Sequence, residues 1–100
     1  VSSTVGAKGR PGEPVYASSK WAIRGFAKSL QEDFKQLPNR VISFCPGGFD
    51  SGIFEKAAGY KNENFGPMMD PNYVALCLKQ ILDLPKNMEV SEIFINRKAA

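Results

Sequence analysis

No histidine occurs in this chain. That removes the base of Ser-His-Asp and Cys-His catalysis and the commonest ligand of a zinc site. Cysteine is nearly as scarce: Cys45 and Cys77 stand far apart, one in an expected strand and one in an expected helix. They read as reduced thiols packed in a core, not as a disulfide framework. No apolar run reaches membrane-spanning length, and no signal peptide opens the sequence. Together with reduced thiols, this points to the cytoplasm. Blocks of like charge are also missing. The net charge of +3 comes from 13 basic and 10 acidic residues, and these are dispersed. Lys8 and Arg10 lie in a Gly/Pro segment, while Arg24, Lys28 and Lys35 decorate an expected helix. No nucleic-acid partner is implied. Internal repeats and low-complexity segments are absent. What remains is ordinary: 43% hydrophobic residues in a chain of 100, enough for one small domain.

The chemistry sits in the first half. Tyr16-Ala-Ser-Ser-Lys20 places a phenol and an ammonium four residues apart. On a helix both project from one face, one above the other. A phenol is a poor base at neutral pH, and a cation one turn away favours its ionised form. Tyr-x-x-x-Lys on a helix is therefore a tuned acid/base pair. The helix itself is well marked. Pro11, Gly12 and Pro14 punctuate the chain before it, and no proline follows from Val15 to Gln36. Tyr16, Lys20, Ile23, Ala27, Leu30 and Phe34 form one stripe with steps of four and three, expected to face the core. The opposite side carries Ser18, Trp21, Ala22, Gly25 and Ser29. Small residues there would let another helix approach closely, as in a homo-oligomer joined through residues 15–36.

In chain order, residues 1–3 read as the tail of a strand and 4–14 as a loop. The helix ends at Leu37-Pro38-Asn39. Arg40–Cys45 is a short apolar run rich in β-branched residues, as in a strand of a parallel sheet buried on both faces. Pro46-Gly47-Gly48 stops it. Residues 46–70 make a long connection of the kind that serves as a lid or binding segment, with a short helix expected over 52–58. Asp70 is a good N-cap and Pro71 a good first residue for a second helix, striped by Val74, Leu78, Ile81 and Leu82 and running to about Leu84. A last strand is expected over Val90–Asn96, followed by a frayed tail.

Strand, helix, strand, helix, strand is part of a Rossmann-like, doubly wound parallel α/β sheet. Ligands bind such sheets beyond the carboxyl ends of the strands. Ser3 and Pro46-Gly47 fall at such ends, and Tyr16 opens the helix between them. Three separate segments thus converge on one sheet edge. The opening Val-Ser-Ser, without Met, reads as the carboxyl portion of something longer.

The chain resembles the carboxyl half of a short-chain dehydrogenase/reductase. The matching pieces are Val1-Ser2-Ser3, Tyr16-Ala17-Ser18-Ser19-Lys20, Arg40-Val41-Ile42 running into Pro46-Gly47-Gly48-Phe49-Asp50-Ser51, and Asp70-Pro71-Asn72-Tyr73-Val74-Ala75. Residues 1–100 would be the carboxyl-terminal part of one such domain. The resemblance implies NAD(P)-dependent interconversion of a carbonyl and a secondary alcohol, with NADP or NAD supplying the hydride. It implies Tyr16 as proton donor or acceptor, Lys20 beside it on the nicotinamide ribose, and Ser3 on the substrate oxygen. Pro46, Gly47, Phe49 and Ser51 would line the nicotinamide. Phe49 stands where Val or Ile is usual, and Ser51 where Thr is commoner. A sugar epimerase of the related extended group also uses Tyr-x-x-x-Lys, but Pro-Gly-Gly-Phe-Asp-Ser points to the reductase branch.

Each assignment has a plainer counterpart. A strand-end serine can be a polar cap, and Ser2 stands beside Ser3. Tyr16 can be a core aromatic and Lys20 a snorkelling cation. Phe54, Tyr60, Phe65, Met68 and Met69 either line a substrate pocket or simply cover the sheet. The family's glycine-rich turn, G-x-x-x-G-x-G, and its active-site Asn do not occur. The chain alone is therefore expected to bind a dinucleotide weakly or not at all. A non-catalytic module that associates through the Trp21–Gly25 face is the alternative function.

Overall fold

The computed structural model describes residues 1–4, 6, 11–49 and 68–98. Among them are two helices and two strands: α1 (Pro14–Asp33), β1 (Ser43–Pro46), α2 (Pro71–Leu82) and β2 (Glu92–Ile95). The expected short helix over 52–58, Ser51, and the candidate pocket residues Phe54, Tyr60 and Phe65 lie outside the described residues.

β1 and β2 pair in parallel, with Ser43 opposite Glu92, Phe44 opposite Ile93, Cys45 opposite Phe94 and Pro46 opposite Ile95. Every β1 residue is buried, Cys45 completely. That is the outcome expected of an apolar run buried on both faces, although the strand covers Ser43–Pro46 and not the expected Arg40–Cys45. Its other edge meets the N-terminal segment. The Ser2 and Thr4 amides donate to the Phe44 and Pro46 carbonyls at 2.8 and 3.3 Å. This segment runs alongside β1 but does not register as a regular strand. The chain turns away directly, with the Gly6 amide donating to the Ser3 carbonyl at 2.9 Å, so the ladder is too short. The spatial order is therefore residues 1–4, β1, β2.

α1 starts where its punctuation places it. Gly12 takes φ +79, a conformation costly for residues with a Cβ. Pro14 occupies the first turn, where its missing N–H costs nothing. The helix stops at Asp33 rather than Gln36. The Leu37 amide donates to the Phe34 carbonyl at 2.8 Å, so the chain leaves the helix through a tight turn ahead of Pro38.

The buried stripe of α1 is rotated from the expected one. Ala17 and Ala27 are buried, whereas Tyr16 and Ile23 are 40% and 37% exposed. Arg24, absent from the expected stripe, turns inward with its side chain only 16% exposed. Short alanine side chains let the helix lie close to the sheet. A guanidinium bound to sheet groups then sets which way the helix faces. Trp21 and Phe26 are exposed at 49% and 67%, as are Ser18, Ala22, Gly25 and Ser29.

α2 is capped as expected. The Asp70 carboxylate accepts from the Asn72 amide at 2.8 Å, and Pro71 takes the first turn. Val74 and Ile81 are buried, with Cys77 and Leu78 half-buried between them. Leu82, expected on this stripe, is 51% exposed. The helix ends there, short of Leu84. Arg40 donates to the Leu82, Leu84 and Met88 carbonyls at 3.1–3.4 Å and satisfies the acceptors left at the helix end. No helix among the described residues is long and apolar enough to cross a membrane.

Candidate active site

The phenol and the ammonium meet as their spacing requires. Tyr16 and Lys20 occupy the first two turns of α1, and Lys20 Nζ lies 5.6 Å from the centre of the Tyr16 ring. That is cation–π range. Tyr16 keeps 40% of its surface exposed, so the residue is not sealed in a core.

The strand-end segment is tied directly to this pair. Ser2 Oγ donates to the Lys20 carbonyl at 2.7 Å, and Ser2 is 4% exposed. Its hydroxyl is thus committed to the helix backbone. Ser3, its half-buried neighbour, carries the other hydroxyl of this edge. Gly6 closes the junction. A Cβ there would lie 2.5 Å from Ser2 Oγ and 3.0 Å from the Lys20 carbonyl oxygen. Real Cβ atoms do not come so close, which is why this position takes glycine.

Pro46 and Gly47 fall at the carboxyl end of β1. The Thr4 amide reaches the Pro46 carbonyl, and the Gly47 amide donates to the Ile95 carbonyl at 2.7 Å. Phe49 forms an isolated parallel bridge with Met69. The segments of Ser3, Pro46 and Gly47 are therefore adjacent on the sheet, with Lys20 pinned to the first of them through Ser2. Ser51 lies outside the described residues. The Lys20 ammonium beside a half-exposed phenol is a donor set that suits the ribose and carboxamide end of a dinucleotide.

Sequence reasoning missed the strongest polar cluster near this edge. The Arg24 Nε and Nη2 donate to the two Glu92 carboxylate oxygens at 2.9 and 2.8 Å, a bidentate fork. Nη1 donates to the Gly6 carbonyl at 2.8 Å. The guanidinium also lies 5.2 Å from the Phe94 ring centre. Hydrogen bonding to Arg24 holds the Glu92 carboxyl below the usual range against the opposing effect of burial; Arg24, Ser43 and Lys28 add to the lowering. The same bond raises the already high value of Arg24. Two signals were available. Arg24 continues the ridge of Tyr16 and Lys20 at a further step of four, and Glu92 is a charge directly before the apolar run Ile93-Phe94-Ile95.

A cavity of about 650 Å³ lies elsewhere, lined by Gln31, Phe34 and Lys35 near the end of α1 and by Arg40, Lys86 and Glu89. It includes no residue of the Tyr16–Lys20 edge. Among the described residues, no group of three or more Cys, Asp and Glu is placed to hold a metal ion.

The sequence profile of the short chain dehydrogenase family matches residues 1–62. The chain belongs to this family. Among curated proteins, the chain is 32% identical over 89 residues to carbonyl reductase family member 4 of Danio rerio. The match covers 85% of the chain and 37% of that protein. It is 32% identical over 83 residues to the oxidoreductase UcpA of Salmonella typhimurium, covering 83% of the chain and 30% of that protein. Among solved structures it superposes on an alcohol dehydrogenase from the archaeon Thermococcus sibiricus, complexed with 5-hydroxy-NADP, with a TM-score of 0.77 and 26% identity. That match covers 94% of this chain and 38% of the archaeal one. The chain thus spans under two-fifths of each of these three proteins. Its two parallel strands with helices are part of the Rossmann-like sheet of a short-chain dehydrogenase, an oxidoreductase family.

Proposed function

We propose that residues 1–100 are the carboxyl-terminal, proton-transfer part of an NAD(P)-dependent oxidoreductase domain acting on a carbonyl or secondary-alcohol substrate. The observation that carries this is Lys20 Nζ at 5.6 Å from the Tyr16 ring, with the Lys20 carbonyl bonded to Ser2 at the strand end. In reduction, the Tyr16 hydroxyl gives its proton to the substrate oxygen; in oxidation it receives one. Lys20 keeps a positive charge beside the phenol and reaches the nicotinamide ribose. The Ser3 hydroxyl holds the substrate oxygen, and Pro46, Gly47, Phe49 and Ser51 line the nicotinamide. When bound, NADP or NAD supplies or takes the hydride. Similarity to oxidoreductases and to a dehydrogenase complexed with an NADP derivative supports the reading. Replacing Tyr16→Phe in the intact protein tests it: turnover should fall by at least two orders of magnitude with an unchanged melting temperature. Turnover within threefold of wild type would refute the assignment.

A second reading rests on a different observation. Val15, Trp21 and Phe26 are exposed at 83%, 49% and 67%, and Gly25 has open space around it. A second copy of this chain would cover such a face through α1. The plainest form of this alternative is an association module without turnover. Sedimentation of wild type against Phe26→Glu separates the two readings. Association lost in the variant, with no turnover in any context, would favour the module.

A further inference from the structure

We infer that Arg24 is a positioning residue for the Tyr16–Lys20 pair: its fork, closed on Glu92 and on the Gly6 carbonyl, fixes the rotation of α1 against the segment that carries Ser3. The inference rests on the catalytic reading of that pair only for its consequence, not for its geometry.

Arg24 is the point where three segments meet. Two of its nitrogens hold Glu92 at the start of β2, and the third holds Gly6, three residues after Ser3. One turn earlier, the Lys20 carbonyl receives the Ser2 hydroxyl. A Cβ on Gly6 would meet Ser2 Oγ, Arg24 Cδ and the Lys20 carbonyl oxygen, all within 3.0 Å. These contacts are therefore one packed junction. Ala17 and Ala27 add only methyl groups, which resist rotation weakly, and Gln31, two turns further on, donates to the Val41 and Ser91 carbonyls at 2.8 Å, so Arg24 is the side-chain anchor of α1 nearest the Tyr16–Lys20 pair. Rotation matters because helical side chains reach about 5–6 Å from the axis. A turn of about 10° moves their tips by about 1 Å, enough to degrade a reacting geometry severely. A planar fork resists such rotation where a single point charge would not.

The test is NMR of the intact protein, with the Ser2 and Lys20 signals assigned through the backbone. Wild type should show a nuclear Overhauser contact between the Ser2 β-protons and the α1 backbone protons at Lys20, across the junction that rotation of α1 would shift. Arg24→Gln should weaken it severalfold. Arg24→Lys, which keeps the charge but not the fork, should restore less than half. Arg40→Gln, which removes carbonyl contacts at the far end of α2, should leave it intact despite a comparable loss of stability. An unchanged contact in folded Arg24→Gln overturns the inference. If that variant does not fold, Glu92→Gln decides, with a weakened contact expected and an unchanged one overturning. None of these readouts needs turnover, so activity surviving in Tyr16→Phe would sink the catalytic reading and leave this one standing.

Discussion

The Arg24–Glu92 fork makes a stability prediction that can be worked through. Replacing Arg24 by Gln removes two charge-assisted bonds to Glu92 and one to the Gly6 carbonyl. A hydrogen bond to a charged group nets roughly 1.5–3 kcal/mol, and stranding a buried charge costs more. Two effects reduce the total. The side chains keep 16% and 18% of their surface in water, and Lys28 remains 3.8 Å from Glu92. Lys28 is 59% exposed and so contributes little. A net loss of about 2–3 kcal/mol follows. With a urea slope of roughly 1–1.5 kcal/mol/M for a chain this small, the midpoint should fall by about 2 M. Acid provides an independent check. The Glu92 carboxyl is held below its ordinary value in the folded state. Its stabilisation is therefore fully present above the unfolded value of about 4.3 and is lost as pH falls through the lower folded value. Glu92→Gln lacks that stabilisation at every pH. Its urea midpoint should lie well below wild type at pH 7, and the two should converge on acidification. A gap that stays constant from pH 7 to pH 3 would refute the reasoning, as would an unchanged midpoint in Arg24→Gln.

Gly6→Ala should destabilise by about 1–3 kcal/mol, read by urea melts, because the added methyl meets Ser2 Oγ at 2.5 Å. Asp70→Ala removes the cap on the Asn72 amide and should cost about 1 kcal/mol, with Asp70→Asn close to neutral. Ile81→Ala, at a buried position of α2, should cost about 2–4 kcal/mol by the same measure. Titration of the isolated chain with reduced dinucleotide should show binding weaker than micromolar; micromolar affinity would contradict the expectation drawn from the missing glycine-rich turn.

Much of this protein was written locally. Pro11, Gly12 and Pro14 announced α1, Asp70-Pro71 announced α2, and Arg40–Cys45 had the apolar, β-branched character of a strand buried on both faces, which the fold forms over Ser43–Pro46. Each signal acts within a turn or a few residues, so no tertiary knowledge was needed. The Tyr16–Lys20 contact was legible for the same reason, since a step of four fixes it on any helix. The direction in which that helix faces was not. It depends on Arg24 finding Glu92, 68 residues away, and on Ser2 finding the Lys20 carbonyl. Hydrophobic periodicity favoured Ile23 over Arg24 for the inward face, because periodicity counts apolar side chains and cannot see a distant carboxylate. The chain alone therefore determined which residues share a ridge. Only the packed fold decided which ridge turns inward, because rotation of a helix about its axis is set by partners brought together when the sheet closes.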